Sequence, residues 1–312
     1  MNKKYLELTK LIRSKQNDHE ILKCLSNYHE NDIADILTVM TPKERKRIYT
    51  LLGPQKIAEI FAYLDEPQIY FAELSIKDAA KVVSLMDSDD AVDVLETLDD
   101  KKKYEIVENL DKAAIKDVKM LLSYDDDEIG SCMTTNYICI PKGLSVRQAM
   151  SELVRQAGTN DNISTIYVLD ESLKFAGAID LKDLIIAREH DVLDDIIVHS
   201  YPSVTDHEKI DECMEKIMDY SEDSIPVLSQ DGHMLGVITS EDIVEMVNNE
   251  MGEDYAKLAG LTAEEDLKET TAQSMKKRLP WLIILLFLGM IVSSVVGVFE
   301  HVVAVLPIVI CF

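Results

Sequence analysis

The sequence is poor in positive charge. It carries 32 Lys+Arg against 57 Asp+Glu, a formal charge of −25 over 312 residues. That speaks against a nucleic-acid binder, because phosphate requires a basic surface. Cysteine is sparse and odd in number. Cys24, Cys132, Cys139, Cys213 and Cys311 are scattered and form no CxxC, so they read as reduced cytosolic thiols rather than a disulfide scaffold. The start, Met1-Asn2-Lys3-Lys4, has no signal-peptide pattern. There is no HExxH, no GxxxxGK[ST] and no GxSxG, and the seven His are dispersed with none paired at zinc-ligand spacing. No nucleophile-and-base pair is visible, so the chain reads as not an enzyme. Met214, Met218 and Met246 sit at helical spacing near apolar residues, a core pattern. The 47% hydrophobic content excludes a disordered or collagen-like chain, and the length suits two or three domains.

The acid is unevenly spread. Residues 1–128 hold 19 basic and 27 acidic side chains, a net of −8, and residues 129–280 have a net of −16. Residues 281–312 hold one acid, Glu300, and no Lys or Arg. That last part is written for another solvent. Trp281 to Phe299 is a run of 19 uncharged residues, WLIILLFLGMIVSSVVGVF. As a helix it spans about 28 Å, close to the ~30 Å hydrocarbon core of a bilayer. Lys276-Lys277-Arg278 just before it place residues 1–278 in the cytoplasm by the positive-inside rule. After Glu300-His301 the chain turns apolar again, VVAVLPIVICF, and ends at Phe312. Those eleven residues are too few to span. The expectation is the front part of a multi-pass protein of the cytoplasmic membrane, incomplete at its C-terminal end.

The first 128 residues read as a helical repeat. Ile33-Ala34-Asp35-Ile36-Leu37, Ile57-Ala58-Glu59-Ile60-Phe61, Ala79-Ala80-Lys81-Val82-Val83 and Ala91-Val92-Asp93-Val94-Leu95 are similar apolar motifs around a charged centre. Thr41-Pro42, Gly53-Pro54, Glu66-Pro67, Asp87-Ser88 and Asp99-Asp100 separate them with caps or helix-starting prolines. Short helices of this kind stack on neighbours to bury their faces, as a small solenoid. Strand signal is weak before about residue 136.

The middle is a tandem duplication. Tyr137–Pro141 reads as a strand, Ser145–Ala157 as a helix, Thr165–Leu169 and Phe175–Ile179 as strands, and Leu181–Arg188 as a helix. The pattern returns 59 residues later: Val168-Leu169 matches Val227-Leu228, Gly177 matches Gly236, Ile179 matches Ile238 and Asp183 matches Asp242. Ile225-Pro226-Val227-Leu228, Asp231-Gly232-His233-Met234-Leu235-Gly236-Val237-Ile238-Thr239 and Glu241-Asp242-Ile243 resemble a CBS domain. The first copy, with Ala178-Ile179-Asp180-Leu181-Lys182-Asp183-Leu184, is a looser match. CBS pairs are regulatory modules that often hold adenine nucleotides and do not catalyse.

Six acids and no base lie between Glu241 and Asp254: Glu241, Asp242, Glu245, Glu250, Glu253 and Asp254. On a helix Asp242/Glu245 and Glu250/Glu253/Asp254 share faces, and like charges so placed repel by roughly 0.2–0.5 kcal/mol per pair. A charge run usually only solvates a helix. Against a second acidic face it demands a cation, and Mg²⁺, a hard ion that keeps several waters, suits sites of one or two carboxylates.

The whole order resembles one family, the MgtE-type magnesium transporters. The landmarks are Ser88-Asp89-Asp90-Ala91-Val92-Asp93, Ile129-Gly130-Ser131-Cys132-Met133-Thr134, Glu253-Asp254-Tyr255-Ala256-Lys257-Leu258-Ala259-Gly260 and Arg278-Leu279-Pro280-Trp281-Leu282. The resemblance implies a multi-domain fold. An all-α helical-repeat (solenoid) domain over 1–128 precedes an α/β tandem CBS pair at 129–190 and 191–249. A connecting, plug-like helix then covers 250–278, and 279–312 begins an α-helical transmembrane domain. It implies a homodimer in the lipid bilayer that passes Mg²⁺ into the cytoplasm and is gated by intracellular Mg²⁺. Its regulatory metal ligands fall here on Glu59, Asp89, Asp211, Asp242, Glu245, Glu250, Glu253 and Asp254, with Asp90 and Asp93 beside them. Ser221 stands where the family can place an acid, with Glu222 and Asp223 next to it. That stretch has no aromatic residue to stack on adenine, which argues against ATP. Lys182 and Asp183 occupy the first-copy positions that could meet a nucleotide. Glu300 resembles an acid at the end of the family's first span. The alternative reading is a membrane-anchored CBS sensor that transports nothing. Other CBS-carrying transporters fit poorly, because they usually place the pair after the membrane domain.

Overall fold

The structure is a computed structural model that describes residues 12, 18–125, 127–160, 162–244, 246–247 and 271–303. It divides into two units, 1–243 and 244–312.

Eight helices open the first unit among the described residues: α1 (Asp18–Leu25), α2 (Glu30–Thr38), α3 (Pro42–Phe61), α4 (Pro67–Phe71), α5 (Ile76–Val83), α6 (Ser88–Glu96), α7 (Asp100–Val107) and α8 (Lys112–Leu121). Local chemistry sets their starts. Thr41 and Glu44 form a capping box, Ser75 accepts from the Asp78 amide at 3.2 Å, and Asp111 Oδ1 accepts from the Ala113 and Ala114 amides at 3.0 and 2.9 Å. The predicted break at Gly53-Pro54 is a kink inside α3, with Gly53 at φ 77°. Each five-residue motif buries its first, second, fourth and fifth residues, as in Ile33, Ala34, Ile36 and Leu37 of α2, and leaves the charged third outside the core. Those four positions share one helical face. Alternate helices then stack, α3 on α5, α5 on α7 and α6 on α8, which is the solenoid the repeat demanded. A nearly buried ion pair pins the early turns. The Arg45 guanidinium donates to the Glu73 carboxylate and to the Leu37 and Met40 carbonyls, at 3.2 and 2.7 Å.

Two three-stranded sheets follow. In the first, β1 (Ile138–Pro141) pairs parallel with β2 (Thr165–Leu169), and β2 pairs antiparallel with β3 (Phe175–Asp180). The second repeats this with β4 (Val204–Thr205), β5 (Ser224–Leu228) and β6 (Met234–Thr239). Helix α9 (Val146–Gln156) and helix α10 (Leu181–Ile186) serve the first copy, and α11 (Ile210–Tyr220) serves the second. The duplication extends to detail. The β-bulge falls between Val168 and Leu169 in one copy and between Val227 and Leu228 in the other.

The copies exchange their lead-ins. Thr134, ahead of the first copy, bridges Val237 of β6, whereas Val198, ahead of the second, bridges Ala178 of β3. This explains the matched glycines. A Cβ on Gly177 would lie 2.8 Å from the Val198 carbonyl oxygen, and one on Gly236 would lie 2.7 Å from that of Thr134. Only glycine lets the crossing chain pass so close. Upstream, the chain after α8 is clamped to the second copy. The Ile129 amide donates to the Glu208 carbonyl and the Gly130 amide to that of Asp206, both at 2.9 Å, and Ile210 returns a bond to the Asp127 carbonyl at 3.0 Å.

In the second unit, α12 (Thr271–Val303) is a 33-residue helix that continues through Pro280. Its apolar side chains are exposed on every side, with Leu282 56%, Leu286 64% and Val296 58% accessible. Side chains of this helix are described at 279–280 and 282–297 only. On that basis no helix among the described residues is long and apolar enough to cross a membrane. The expected connecting helix lies outside the described residues over 250–270, and so does the apolar end at 304–312. Positions 271–278 form the first two turns of α12.

Candidate metal-binding face

Helix α6 starts without the usual side-chain cap. The flanking Asp87 makes no capping bond; its Oδ1 accepts from Asn136 Nδ2 at 2.9 Å, and Ser88 Oγ accepts from the Thr135 amide at 2.9 Å. The first turn of α6 is therefore docked onto the lead-in of the first CBS-like copy. That lead-in runs along β6, and just beyond β6 the second copy begins a helical turn at 240–244. Asp242 caps that turn, its Oδ2 accepting from the Thr239 amide at 2.6 Å. The acids of α6 and of 241–242 thus face each other across the boundary between helical repeat and α/β pair.

The electrostatics of this face are one-sided. Burial first, then the charges of Asp242, Asp90 and Asp87, push the Asp89 carboxyl well above its ordinary value. Asp89 Oδ1 is enclosed and has no hydrogen-bond partner. Burial, with Asp87, Asp93, Asp242 and Glu241, pushes Asp90 up to about 7. The largest side-chain charges acting on these two groups are all negative and disfavour their ionisation, whereas the backbone hydrogen bond of Asp89 works the other way. The Cys132 thiol, half-buried in the lead-in, is raised by burial and by Asp93, Asp242 and Asp89. Burial and the charges of Glu241, Glu30 and Asp90 raise the Tyr63 phenol as well.

Of the expected ligands, Asp89 and Asp242 are brought together, with Asp90 and Asp93 beside them. Glu59 is held differently. Its Oε2 accepts from Lys56 Nζ at 2.7 Å, and the same ammonium bonds to Glu30. Asp211 is exposed in the first turn of α11 and is not among the charges acting on Asp89 or Asp90. Glu245, Glu250, Glu253 and Asp254 lie outside the described residues. Lys182 and Asp183 are exposed on α10, whose first turn is capped by Asp180 Oδ1 accepting from the Lys182 amide at 2.6 Å. Tyr137, Tyr167, Phe175 and Tyr201 gather between the copies, and the Tyr167 and Tyr201 hydroxyls are tied to Ser224. Among the described residues no three His, Cys, Asp or Glu side chains form a group that could hold a metal ion. Sequence reasoning counted Glu241 in the acidic run without making it a ligand, and missed Asp87 as a contributor to this face and Lys56 and Glu30 altogether. A lysine three residues before a candidate ligand, in so acidic a chain, was the available signal.

Comparison with known proteins decides the family. Residues 28–127 match the model of the MgtE intracellular N domain, and 128–190 and 193–249 match the CBS domain. The chain is 35% identical over 310 residues to the magnesium transporter MgtE of Enterococcus faecalis, covering 97% of this chain and 68% of that protein. It belongs to the MgtE magnesium transporter family. The MgtE proteins of Bacillus subtilis and Thermus thermophilus are 30% and 28% identical, over 86% and 89% of this chain. The chain spans 60 to 68% of the length of these relatives. They are magnesium transporters, and the chain is not an enzyme. The crystal structure of the soluble part of a magnesium transporter superposes with a TM-score of 0.75 at 28% identity, over 79% of this chain and 98% of that one. The cytosolic domain of the Mg²⁺ channel MgtE in complex with ATP shares the fold, with a TM-score of 0.69 at 24% identity, over 77% and 99% of the two chains.

Proposed function

We propose that this chain is the cytosolic sensor and first membrane segment of a Mg²⁺ transporter, and that its acidic face reads the cytosolic Mg²⁺ level. The observation that carries the reading is the enclosed, unpartnered Asp89 Oδ1 amid charges of its own sign. A divalent cation between α6 and the turn at 240–244 removes that repulsion. Mg²⁺ is suited to it, because it accepts one or two carboxylates and keeps its own waters. Asp89 and Asp242 would supply the carboxylates, with Asp90 and Asp93 in reserve. Glu245, Glu250, Glu253 and Asp254 extend the same acidic run. Glu59 and Asp211 are the outlying members of the set.

Residues 281–299 are the first span in this reading. Apolar side chains on every side of α12 are favourable in lipid by roughly 0.3–0.6 kcal/mol each, and Lys276, Lys277 and Arg278 hold the preceding end in the cytoplasm. High Mg²⁺ bridges the acidic modules and holds the connecting segment so that the pore is closed. Low Mg²⁺ lets the carboxylates repel and frees it. The ion acts only through its preference for the closed arrangement. A homodimer is the assembly this family reading implies. An MgtE cytosolic domain of the same fold has been solved with ATP, so the exposed Lys182 and Asp183 are the positions at which ATP binding is to be tested here.

Limited proteolysis in millimolar Mg²⁺ and in EDTA tests the sensor, with Mg²⁺ expected to protect the boundary between α6 and the 240–244 turn. Identical digestion refutes it. Mg²⁺ uptake by the full-length protein in cells lacking their own importers tests transport. A Mg²⁺-dependent digestion without uptake would point instead to a membrane-anchored regulator.

A further inference from the structure

The chain leaving α8 meets the second CBS copy through side chains as well as backbone. Tyr124 donates its hydroxyl to Asp206 Oδ2 at 3.1 Å, and its ring stands edge-on to the His207 imidazole with 5.3 Å between centres. Asp206 and His207 lie in the turn between β4 and α11. From there His207 reaches two carboxylates. Its Nδ1 lies 3.0 Å from Glu128 Oε1, on the chain that leaves α8, and its Nε2 lies 3.8 Å from Asp206 Oδ2. The Glu128 and Asp206 side chains are only 14% and 11% exposed, whereas that of His207 is 53% exposed and open to solvent protons. Asp206 Oδ1 is enclosed and has no hydrogen-bond partner. Glu128 is fixed in place, its Oε2 accepting from the Asp125 amide at 3.0 Å. The nearby cations are already engaged, Lys209 Nζ with Asp127 at 2.6 Å and Lys216 Nζ with Glu208 at 3.5 Å. Asp125 adds one more negative charge acting on the imidazole.

The two protonation states of His207 differ in what they can hold. A neutral imidazole has one N–H and serves one carboxylate; the imidazolium has two and serves both. We propose that His207 is a proton-operated clasp between the helical repeat and the second CBS copy: charged, it ties Glu128 to Asp206 and tightens the joint; neutral, it leaves one of them unanswered and the joint slackens. The hydrogen bond to Glu128 raises the His207 pKa above its ordinary 6.5; burial opposes it, and the charges of Asp206, Glu128 and Asp125 add to it. With a raised folded pKa the clasp is whole below about pH 6.5 and is lost as pH climbs past the folded value. Glu128 is held below its ordinary value by the Asp125 amide and then by His207, so it stays ionised throughout that range. The clasp uses no metal. It stands apart from the Mg²⁺-sensing reading and makes the same joint answer to pH. An ion pair this exposed supports an effect of about two- to fivefold.

The experiment follows hydrogen exchange of the full chain in detergent and EDTA at pH 6.0 and pH 8.5, corrected for intrinsic chemical exchange. It reads the amides of Ile129, Gly130 and Ile210, whose bonds cross the joint. The acids of α6 also respond to pH, so the quantity compared is the protection of wild type over that of H207Q at each pH. That ratio is expected to be about two- to fivefold at pH 6.0 and to fall to about one at pH 8.5. E128Q removes the carboxylate that the charged ring needs and is expected to lose the same pH-dependent part, which covers the case in which H207Q does not fold. H190Q removes an exposed histidine 3.7 Å from Asp191 in the first copy and is expected to keep the wild-type profile. A ratio equal at the two pH values overturns the proposal, because a purely structural contact would give a constant one. An equal loss in H190Q overturns it too, since the effect would then belong to any histidine. No metal is present in the assay, so either failure leaves the Mg²⁺-sensing reading to its own test.

Discussion

Neutralising Asp90 should make the protein more stable, provided Mg²⁺ is absent. Its carboxyl is pushed from an ordinary 3.8 up to about 7 by burial and by Asp87, Asp93, Asp242 and Glu241. A rise of this size corresponds to roughly 4 kcal/mol for keeping the group ionised above pH 7, at ~1.4 kcal/mol per pH unit. Relaxation of the face and entry of water take back part of that, so D90N is expected to gain about 2 kcal/mol in EDTA at pH 8. For a unit of this size, about 2–4 °C per kcal/mol, the melting temperature rises by roughly 4–8 °C. The sign follows from proton linkage. An acid whose folded pKa is raised binds more protons folded than unfolded between 3.8 and about 7, so wild-type stability falls as pH climbs through that window. At pH 5 the folded carboxyl carries the proton but the unfolded one is mostly ionised, so roughly 40% of the effect is already present and D90N should gain about 0.8 kcal/mol, well under its gain at pH 8. Saturating Mg²⁺ should close most of the gap at pH 8. Differential scanning fluorimetry at pH 5 and pH 8, with EDTA or with Mg²⁺, makes the measurement. A D90N protein that is less stable than wild type in EDTA at pH 8, or whose gain is equal at both pH values, refutes the argument that unpaired carboxylates strain this face.

Two more consequences concern the scaffold. G236A places a Cβ 2.7 Å from the Thr134 carbonyl oxygen and 2.8 Å from Met133 Sδ, and should cost about 2–3 kcal/mol in urea unfolding, since backbone rather than a pliant side chain must give way. R45M strands the Glu73 carboxylate and the Leu37 and Met40 carbonyls, and should cost about 3–5 kcal/mol by the same measurement, more than the isosteric E73Q, which leaves polar partners in place.

The chain disclosed its periodic features readily. The five-residue motifs of the repeat needed only helical spacing to be read, because burial of the first, second, fourth and fifth positions is a local property. The 59-residue offset gave the strand pairs, down to Gly177 and Gly236. What stayed hidden was non-local. No pattern announces that Thr134 bridges β6, or that Val198 bridges β3, because each is a single bridge to a strand far away in the sequence. The candidate site was half visible. Asp89 and Asp242 were identified by resemblance, and the structure joins them. The pairing of Lys56 with Glu59 is signalled by their three-residue spacing, but the share of Glu30 in the same ammonium is not legible, since it depends on how α2 is set against α3. The exposure of Asp211 depends on how α11 is set against its sheet, which spacing along the chain does not encode.

The crossed lead-ins have a consequence for how this protein can be taken apart. Each half of the duplicated region is finished by chain belonging to its twin's entrance, so removing one removes an edge from the other. A deletion boundary drawn between the twins, at residue 190, would therefore cut through a single folding entity, although it looks like a seam. The same crossing makes α8 a sequence-distant but physically immediate neighbour of the second twin, through the backbone clamp at 127–130 and 206–210. Motion of the helical stack can reach that twin without first passing through the twin that precedes it in the chain.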